Sequence, residues 1–147
     1  MNYFLKFKNT GNFPFTYEGH KDLIEKEGKV IWGQWTSGNG RLNQKTYDEM
    51  NKNGEFALYL LDKANGILIK ATVERVLRKE EVIDSNLTHL IPAYYNVDTN
   101  CSAFYLINKF ERLDIADGEK IVNINTNNCV MQAQQVNSNA PWRVKTI

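Results

Sequence analysis

Polar and hydrophobic residues alternate along the first stretch of the chain, NYFLKFK. Alternation with a period of two is typical of a β-strand with one buried face, because successive side chains point to opposite faces of a sheet. The pattern places Tyr3, Leu5 and Phe7 on the same face. The sequence KVIWGQW, from Lys29 to Trp35, has an apolar run in strand context and predicts a second strand.

Two segments have the apolar spacing and the end signals of short helices. The first, GHKDLIEKEG, has Leu23 and Ile24 on its apolar side, and Gly28 stands where a left-handed C-terminal cap is expected. In the second, RLNQKTYDEMNKNG, Asn43 is the predicted N-cap, because Leu42 before it and Tyr47 four residues on are placed for a hydrophobic staple. Both helices are expected to be short.

A hairpin is the clearest signal, in the segment between Phe56 and Leu77. Its two strand-like runs are joined by Asn65 and Gly66, which favour the positive φ angles of a type I′ turn. The first run is apolar on both faces, which indicates a central strand, and we expect Trp32 to lie beside the hairpin. The second run alternates, with four residues expected to point inward: Ile67, Ile69, Ala71 and Val73.

The pattern is weaker after the hairpin. Residues 78–100 are expected to be mostly loop, and CSAFYLINKFERLD, which ends at Asp114, predicts another strand. In the less regular region 115–147 we expect two short strands, KIVNI and CVMQAQQV, while the tail NSNAPWRVKTI leaves open an edge strand, a partner-binding arm or a joint. Many strands with few helices predict an α+β fold. We expect a curved mixed β-sheet or small β-barrel with short flanking helices, in a single domain spanning residues 1–147.

Composition and charge limit the class of protein. The chain has 147 residues, 42% of them hydrophobic, which is enough for one core and too few for two domains. It has 18 basic and 17 acidic side chains, so binding to a polyanion has to come from a local patch. The sequence has no signal-peptide pattern and no run approaching the roughly 20 apolar residues of a membrane-spanning helix, so we expect a cytoplasmic protein without membrane contact. Cys101 and Cys129 lack CxxC spacing and are expected to be reduced thiols.

No sequence pattern argues for catalysis. His20 and His89 lie in unrelated segments, and no HExxH, CxxC or paired-histidine spacing offers ligands to a metal. Glu80 and Glu81 are adjacent in the charged run RKEE, which is more typical of a solvated loop than of an acid and base pair. We therefore expect a protein that is not an enzyme and that uses no cofactor and no metal.

The aromatic residues next to the polar loop TSGNG are the best candidates for a site. Trp32 has the strand context of a core residue, and both core packing and a pocket wall stay open for it. Trp35 stands where the strand enters the loop, so burying it fully would draw polar backbone inward. A planar heterocycle needs aromatic faces above and below it and hydrogen bonds at its edge, and this composition suits such a ligand.

The order of segments carries a family resemblance. YFLKFKNTGNF and a short helix precede GKVIWGQWTSGNGRLNQKTYDEM, and FALYLLDKANGILIKATVERV, a loop and FYLINKFERLD follow. This order resembles the YTH and EVE domains of the PUA-like superfamily, over residues Met1 to Asp114. In those domains a polar turn follows the first strand, the second strand carries a pocket tryptophan, and a second aromatic-bearing loop follows a hairpin.

The resemblance implies an aromatic cage around a flipped base. Trp32 matches the tryptophan that stacks on the base, and Asn9 and Asn12 match the polar groups that read its edge. Tyr94 or Tyr95 occupies the loop of the second aromatic wall, where the family has tryptophan.

Two further sets of residues complete the implied site. Trp35 is the alternative second wall of the cage. Phosphate contacts hold the nucleic-acid backbone while a base is extruded, so basic side chains are expected near the cage. The candidates for these contacts are Arg41, Lys45, Lys6 and Lys8.

The function implied by the resemblance is that of a reader without catalysis. Such a domain binds nucleic acid, most of all modified DNA and otherwise RNA, through a base such as 6-methyladenine or 5-methylcytosine. Similar prokaryotic domains often form the specificity part of modification-dependent restriction systems, tethered to a nuclease or a motor. Two alternatives stay open: an ASCH-like ribonuclease of the same superfamily, and a protein-interaction module with exposed aromatic residues.

Overall fold

The computed structural model of the chain describes residues 1–8, 16–35, 41–99, 101–133 and 140–147. These residues form a seven-stranded mixed sheet with three short α-helices, which confirms the predicted α+β class. The strands are β1 (Asn2–Lys6), β2 (Val30–Trp35), β3 (Phe56–Asp62), β4 (Ile67–Leu77), β5 (Cys101–Leu113), β6 (Ile121–Asn123) and β7 (Trp142–Thr146). The helices are α1 (Thr16–Glu27), α2 (Gln44–Lys52) and α3 (Lys79–Asp84). No helix among the described residues is both long and apolar enough to cross a membrane.

The strands follow the order β2-β5-β4-β3-β1-β7-β6 across the sheet. β1 and β3 run parallel, and the other neighbouring pairs are antiparallel. The β3–β4 hairpin is therefore central, and almost all of β3 is buried, as predicted. Trp32 was expected to lie beside the hairpin, and this is confirmed for its side-chain packing but not for the pairing of its strand. Trp32 shares a hydrophobic cluster with hairpin residues, but β5 separates its strand from β4.

The predicted ends of the first two helices are confirmed. Gly28 ends α1 with a φ of +82°, and its N–H donates to the carbonyl oxygen of Ile24 over 2.8 Å. Asn43 caps α2, because its side-chain oxygen accepts from the backbone N–H of Lys45 at 2.8 Å. α1 begins earlier than its sequence pattern predicted, at Thr16.

The turn between β3 and β4 is not the predicted type I′ turn. It has four residues, 63–66, because Asp62 pairs with Ile67. Gly66 has a φ of +66°, but Asn65 does not have a positive φ. The carboxylate of Asp62 accepts from the backbone N–H and from the side-chain amide of Asn65. This local bonding by an aspartate side chain sets the turn, and it overrides the preference of an Asn-Gly pair.

Residues 78–99 are more ordered than the predicted loop. They contain α3 and a 3₁₀ turn, Thr88–Leu90. They also bury Val82, Leu90 and Ile91 in a hydrophobic cluster with residues of β2, β4 and β5. Most of the segment is still loop, as predicted, and the two helical pieces are too short to produce a hydrophobic period that can be recognised in the sequence.

The C-terminal part differs from its prediction in two places. KIVNI forms β6 as expected, but the predicted strand CVMQAQQV has a 3₁₀ turn at Val130–Gln132 and a single bridge between Val122 and Cys129. Its residues 134–136 lie outside the described part of the chain. The tail supplies β7, which is not an edge strand, because it lies between β1 and β6.

Separate hydrophobic clusters cover the two faces of β2. The cluster under α1 and α2 includes Val30 and Trp32. The opposite cluster, under residues 78–99, includes Ile31. This division follows from the alternation of side chains along a strand. β2 is the last strand on its side of the described sheet, so its faces are packed while its outer edge has no neighbouring strand.

Replacing Asn43 by alanine is expected to lower the free energy of unfolding by about 1 kcal/mol. The variant loses the oxygen that accepts from the N–H of Lys45, which leaves a donor in the first helical turn without its partner. Urea unfolding followed by circular dichroism measures the change. Asn43→Asp keeps an acceptor and is the matched control. An equal loss of stability in both variants would contradict the capping role.

Candidate functional site

Trp32 lies in the core of the protein. It is 4% exposed, and the imidazole of His20 stacks on it with ring centroids 4.2 Å apart and planes at 30°. Phe7 and Phe110 meet the indole edge-on, at centroid distances of 5.2 Å and 6.3 Å. Of the two interpretations left open for Trp32, the structure matches core packing. A base that stacked on this face of Trp32 would have to take the place of His20.

His20 connects Trp32 to Tyr95. Its Nδ1 lies 2.6 Å from the carbonyl oxygen of Thr16, and its Nε2 lies 2.9 Å from the Tyr95 hydroxyl. Since a carbonyl oxygen only accepts, Nδ1 carries the proton. Burial lowers the pKa of His20 to about 4, so the ring is neutral at pH 7 and Nε2 accepts from the hydroxyl. The imidazole is thus a fixed part of the core.

Sequence reasoning considered His20 only as a metal ligand and missed this role. A signal was present in the spacing of Tyr17, His20 and Ile24 along α1. Residues separated by three and four positions share one helix face, and this face packs against the sheet. A histidine in such a row is expected to be buried and hydrogen-bonded.

The hydroxyl of Tyr95 closes the outer edge of β2. It accepts from the N–H of Gly33 at 2.9 Å and lies 3.0 Å from the carbonyl oxygen of Ile31. Its single proton is therefore shared between that oxygen and His20. These backbone groups belong to the edge strand, and without Tyr95 they would be unpaired inside the protein. Gly33 permits the close approach, because a Cβ there would lie 2.9 Å from the Tyr95 ring and from Sγ of Cys101.

Trp35 and Tyr94 form an exposed aromatic surface at the end of β2, which we call the Trp35–Tyr94 surface. Trp35 is 53% exposed, and Tyr94 is half-buried. Their ring centroids are 6.4 Å apart and their planes meet at 36°. Tyr95 contacts Trp35 edge-on at 5.7 Å, so the exposed indole rests on a buried ring. A planar ligand can reach the aromatic cluster from this side.

The structure separates the two tryptophans, because residues three apart in a strand point to opposite faces of the sheet. Trp32 packs under α1, whereas Trp35 contacts the tyrosines of residues 78–99. The described members of the predicted cage therefore do not line one pocket. Those that meet at the end of β2 are Trp35, Tyr94 and Tyr95. The predicted edge readers that lie outside the described residues are Asn9 and Asn12.

A cleft of about 170 Å³ lies beside the Trp35–Tyr94 surface. Its lining includes Arg41, Arg78, Lys79, Glu80, Cys101 and Ser102. Cys101 is the β5 partner of Trp35, so one wall of the cleft adjoins the exposed indole. Burial raises the pKa of the Cys101 thiol to about 12, which makes it a neutral wall and not a nucleophile.

Arg78 is the most constrained cation of this cleft. Its guanidinium donates to the carbonyl oxygen of Leu42 at 2.8 Å and lies over the ring of Tyr47 at 4.5 Å. Burial, and then the charge of Arg41, lower the pKa of Arg78 from its ordinary value. Sequence reasoning placed Arg78 and Lys79 in a solvated run. The sequence did contain a signal for this role, because Arg78 and Lys79 directly follow the buried strand β4.

The four predicted phosphate-binding residues do not lie together. Arg41 lines the cleft, and Lys45 is exposed on the first turn of α2. Lys6 lies on β1 at a position that points to the sheet face opposite to Trp32, and burial lowers its pKa. Lys8 is exposed just after that strand. Of these four side chains, the structure places Arg41 in the cleft beside the Trp35–Tyr94 surface.

Acid is expected to destabilise the protein through His20. The pKa of His20 is about 4 in the folded protein, and it is about 6.5 in an unfolded chain. Protonation therefore favours the unfolded state as the pH falls below about 6.5, and the loss of folding stability from this residue is complete near pH 4. Between pH 7.5 and pH 5 this residue should cost about 2 kcal/mol of stability. Urea unfolding at the two pH values measures the loss.

The control for this prediction is the second histidine. His20→Gln should lose this part of the pH dependence, whereas His89→Gln, which replaces an exposed residue, should keep it. If wild type and His20→Gln lost the same stability between the two pH values, a buried neutral imidazole would be ruled out.

A model of the Pua-like family matches residues 3–139. No curated protein and no solved structure gave a significant match. The matched range runs from β1 past the 3₁₀ turn Val130–Gln132, and it includes every residue of the aromatic cluster and of the cleft. Since the match covers nearly the whole chain, the protein belongs to the Pua-like family.

Proposed function

We propose that the protein is a reader that binds nucleic acid and stacks a modified base on the Trp35–Tyr94 surface, without a catalytic step. Membership of the Pua-like family indicates a nucleic-acid-binding domain of the PUA type. The observation that carries the proposal is the difference in exposure between the two tryptophans: Trp35 is 53% exposed, whereas Trp32 is 4% exposed. A ligand with an aromatic face has access to the first indole and not to the second.

The geometry of Trp35 and Tyr94 suits a stacked base. Two rings that enclose a base lie about 7 Å apart, twice the roughly 3.4 Å rise of a nucleotide strand. The centroids of Trp35 and Tyr94 are 6.4 Å apart and their planes meet at 36°, a centroid separation close to that value. Stacking on an aromatic side chain contributes about 1 to 3 kcal/mol per base. A base in a duplex has to leave its stack to make this contact, and a mispaired or single-stranded base does so at lower cost.

A methyl group on the base adds a small and calculable preference. Burying one methyl-sized group contributes about 0.8 kcal/mol, which is about a fourfold change in affinity. Stronger selection for 6-methyladenine or 5-methylcytosine requires side chains that enclose the methyl group.

We further propose that the ligand is modified DNA and that the protein is the specificity part of a modification-dependent restriction system. In this proposal a nuclease or motor, in another subunit or domain, supplies the chemistry. Two features of the sequence support it. The order of its elements resembles that of EVE and YTH domains. Its net charge is only +1, which disfavours tight nonspecific binding to nucleic acid. RNA is the competing ligand in the experiment below.

A binding screen tests the choice of ligand. Oligonucleotides of one sequence, with adenine or 6-methyladenine and with cytosine or 5-methylcytosine, are compared as single strands and duplexes of DNA and RNA. We expect at least one modified DNA to bind about fourfold or more tightly than its unmodified partner. Fluorescence anisotropy at low salt measures the affinities. Equal affinity for each modified and unmodified pair would contradict base reading, and a preference confined to RNA would contradict the restriction role.

Alanine variants of the tryptophans test the position of the base. Trp35→Ala should weaken binding of the preferred oligonucleotide severalfold or more, because it removes about 1 to 3 kcal/mol of stacking. Its urea midpoint should change little, since the side chain is largely exposed. Trp32→Ala should instead cost about 3 to 5 kcal/mol of folding free energy, because it opens a cavity in the core.

Trp35→Phe is the matched control for stacking. It keeps an aromatic face and should retain more of the affinity than Trp35→Ala. A folded Trp35→Ala variant that binds as tightly as wild type would place the base elsewhere.

A further inference from the structure

The cleft and the Trp35–Tyr94 surface are joined through β5. The carbonyl oxygen of Ser102 accepts from the backbone N–H of Leu42 at 3.0 Å and from the guanidinium of Arg78 at 3.4 Å. Cys101, the preceding residue, pairs with Trp35. Adjacent strand residues are about 3.3 Å apart, so Ser102 lies about one residue along β5 from the backbone partner of Trp35. A single nucleotide bound at Trp35 is thus next to the cleft.

The charges of the cleft are unbalanced. Among the described residues that line it, three are cations, Arg41, Arg78 and Lys79, and one is a carboxylate, Glu80. Two further carboxylates act on these cations from outside the lining, Asp98 on Lys79 and Glu81 on Arg78. Within the described residues, no carboxylate lies at ion-pair distance from Arg41. Arg41 and Arg78 repel each other closely enough for the first to lower the pKa of the second. An anion placed between them would reduce this repulsion.

Arg78 is held in place before a ligand arrives. Its Nη2 donates to the carbonyl oxygen of Leu42 and to the side chain of Gln44, and its Nη1 donates to Ser102. These contacts use three of the five N–H donors of a guanidinium. A planar guanidinium that is already oriented binds phosphate with little further loss of side-chain entropy.

Lys79 is free to change its partner at low cost. Its ammonium lies 2.7 Å from the carboxylate of Asp98, whose side chain is 77% exposed. An ion pair at the surface is worth little, so a phosphate with more charge can replace Asp98. Glu80 is the one lining residue whose charge opposes an anion.

We propose that this cleft is a phosphate-binding subsite, which takes a backbone phosphate of the nucleic acid through Arg41, Arg78 and Lys79. The inference rests on the proposed function, because it places the phosphate next to the base that stacks on Trp35. It adds Arg78 and Lys79 to the phosphate contacts expected from the sequence, and it names Glu80 as a carboxylate that lowers the affinity for phosphate.

Arg41→Gln is the primary test, since Arg41 is exposed and its replacement is expected to leave the fold intact. Two labelled oligodeoxynucleotides of one sequence are used, one with a central 6-methyladenine and one without it, at several salt concentrations. Arg41→Gln should weaken binding of both by the same factor, and should lower the slope of log affinity against log salt by about 0.7 to 0.9. Glu80→Gln should strengthen binding of both.

Lys70→Gln is the matched control for charge. Lys70 is exposed on β4, on the order of 25 Å along the strand from Arg78, and its loss should leave the slope unchanged. If Arg41→Gln kept the wild-type slope, or if Lys70→Gln lowered the slope as much, the phosphate subsite would be overturned. Circular dichroism confirms that each variant is folded.

The two proposals fail in different ways. A lowered slope for Arg41→Gln with equal affinity for both oligonucleotides would contradict reading of 6-methyladenine and leave the subsite standing. A methyl preference that depends on Trp35, together with an unchanged slope for Arg41→Gln, would overturn the phosphate subsite and leave modified-base reading standing. If neither oligonucleotide bound at low salt, both proposals would be wrong.

Discussion

The arrangement of residues around the exposed end of β2 depends on the hydrogen bonds of the Tyr95 hydroxyl. This one group meets the backbone of Ile31 and Gly33 at the strand edge, and it also bonds His20. A buried backbone group without a partner costs about 1 to 3 kcal/mol, so the outer edge of β2 could not be covered by apolar residues alone. Tyr95 supplies what a neighbouring strand would supply. It also fixes residues 78–99 against β2, and this places Tyr94 beside Trp35.

The aromatic cluster consequently has one closed end and one open end. At the closed end, Trp32 and His20 are packed and hydrogen-bonded inside the core. At the open end, Trp35 is exposed but rests on a buried tyrosine. If the proposed function is correct, a surface supported in this way loses little conformational freedom when the base binds, which favours affinity. The buried tryptophan supports the aromatic cluster from inside the core, and the exposed one faces solvent.

A nearly neutral protein can still gather several basic side chains in one cleft. The net charge is +1, yet the cleft beside Trp35 gathers three cations and one carboxylate. Arg41 and Arg78 come from distant parts of the chain. Arg78 donates to the carbonyl oxygen of Ser102 on β5, and so does the backbone N–H of Leu42, the residue after Arg41. The expected consequence is modest, salt-sensitive binding that depends on contacts at this end of the sheet and not on the overall field.

The sequence by itself determined the features whose signals are local. Gly28 and Asn43 marked helix ends, the two-sided apolar run marked β3 as central, and a polar loop directly after Trp35 marked it as the more exposed tryptophan. Only the tertiary structure decided which side chains meet. His20 and Tyr95 are 75 positions apart, and the cleft unites three separate segments. Such contacts follow from the order β2-β5-β4, and no local period or spacing encodes the pairing of distant strands.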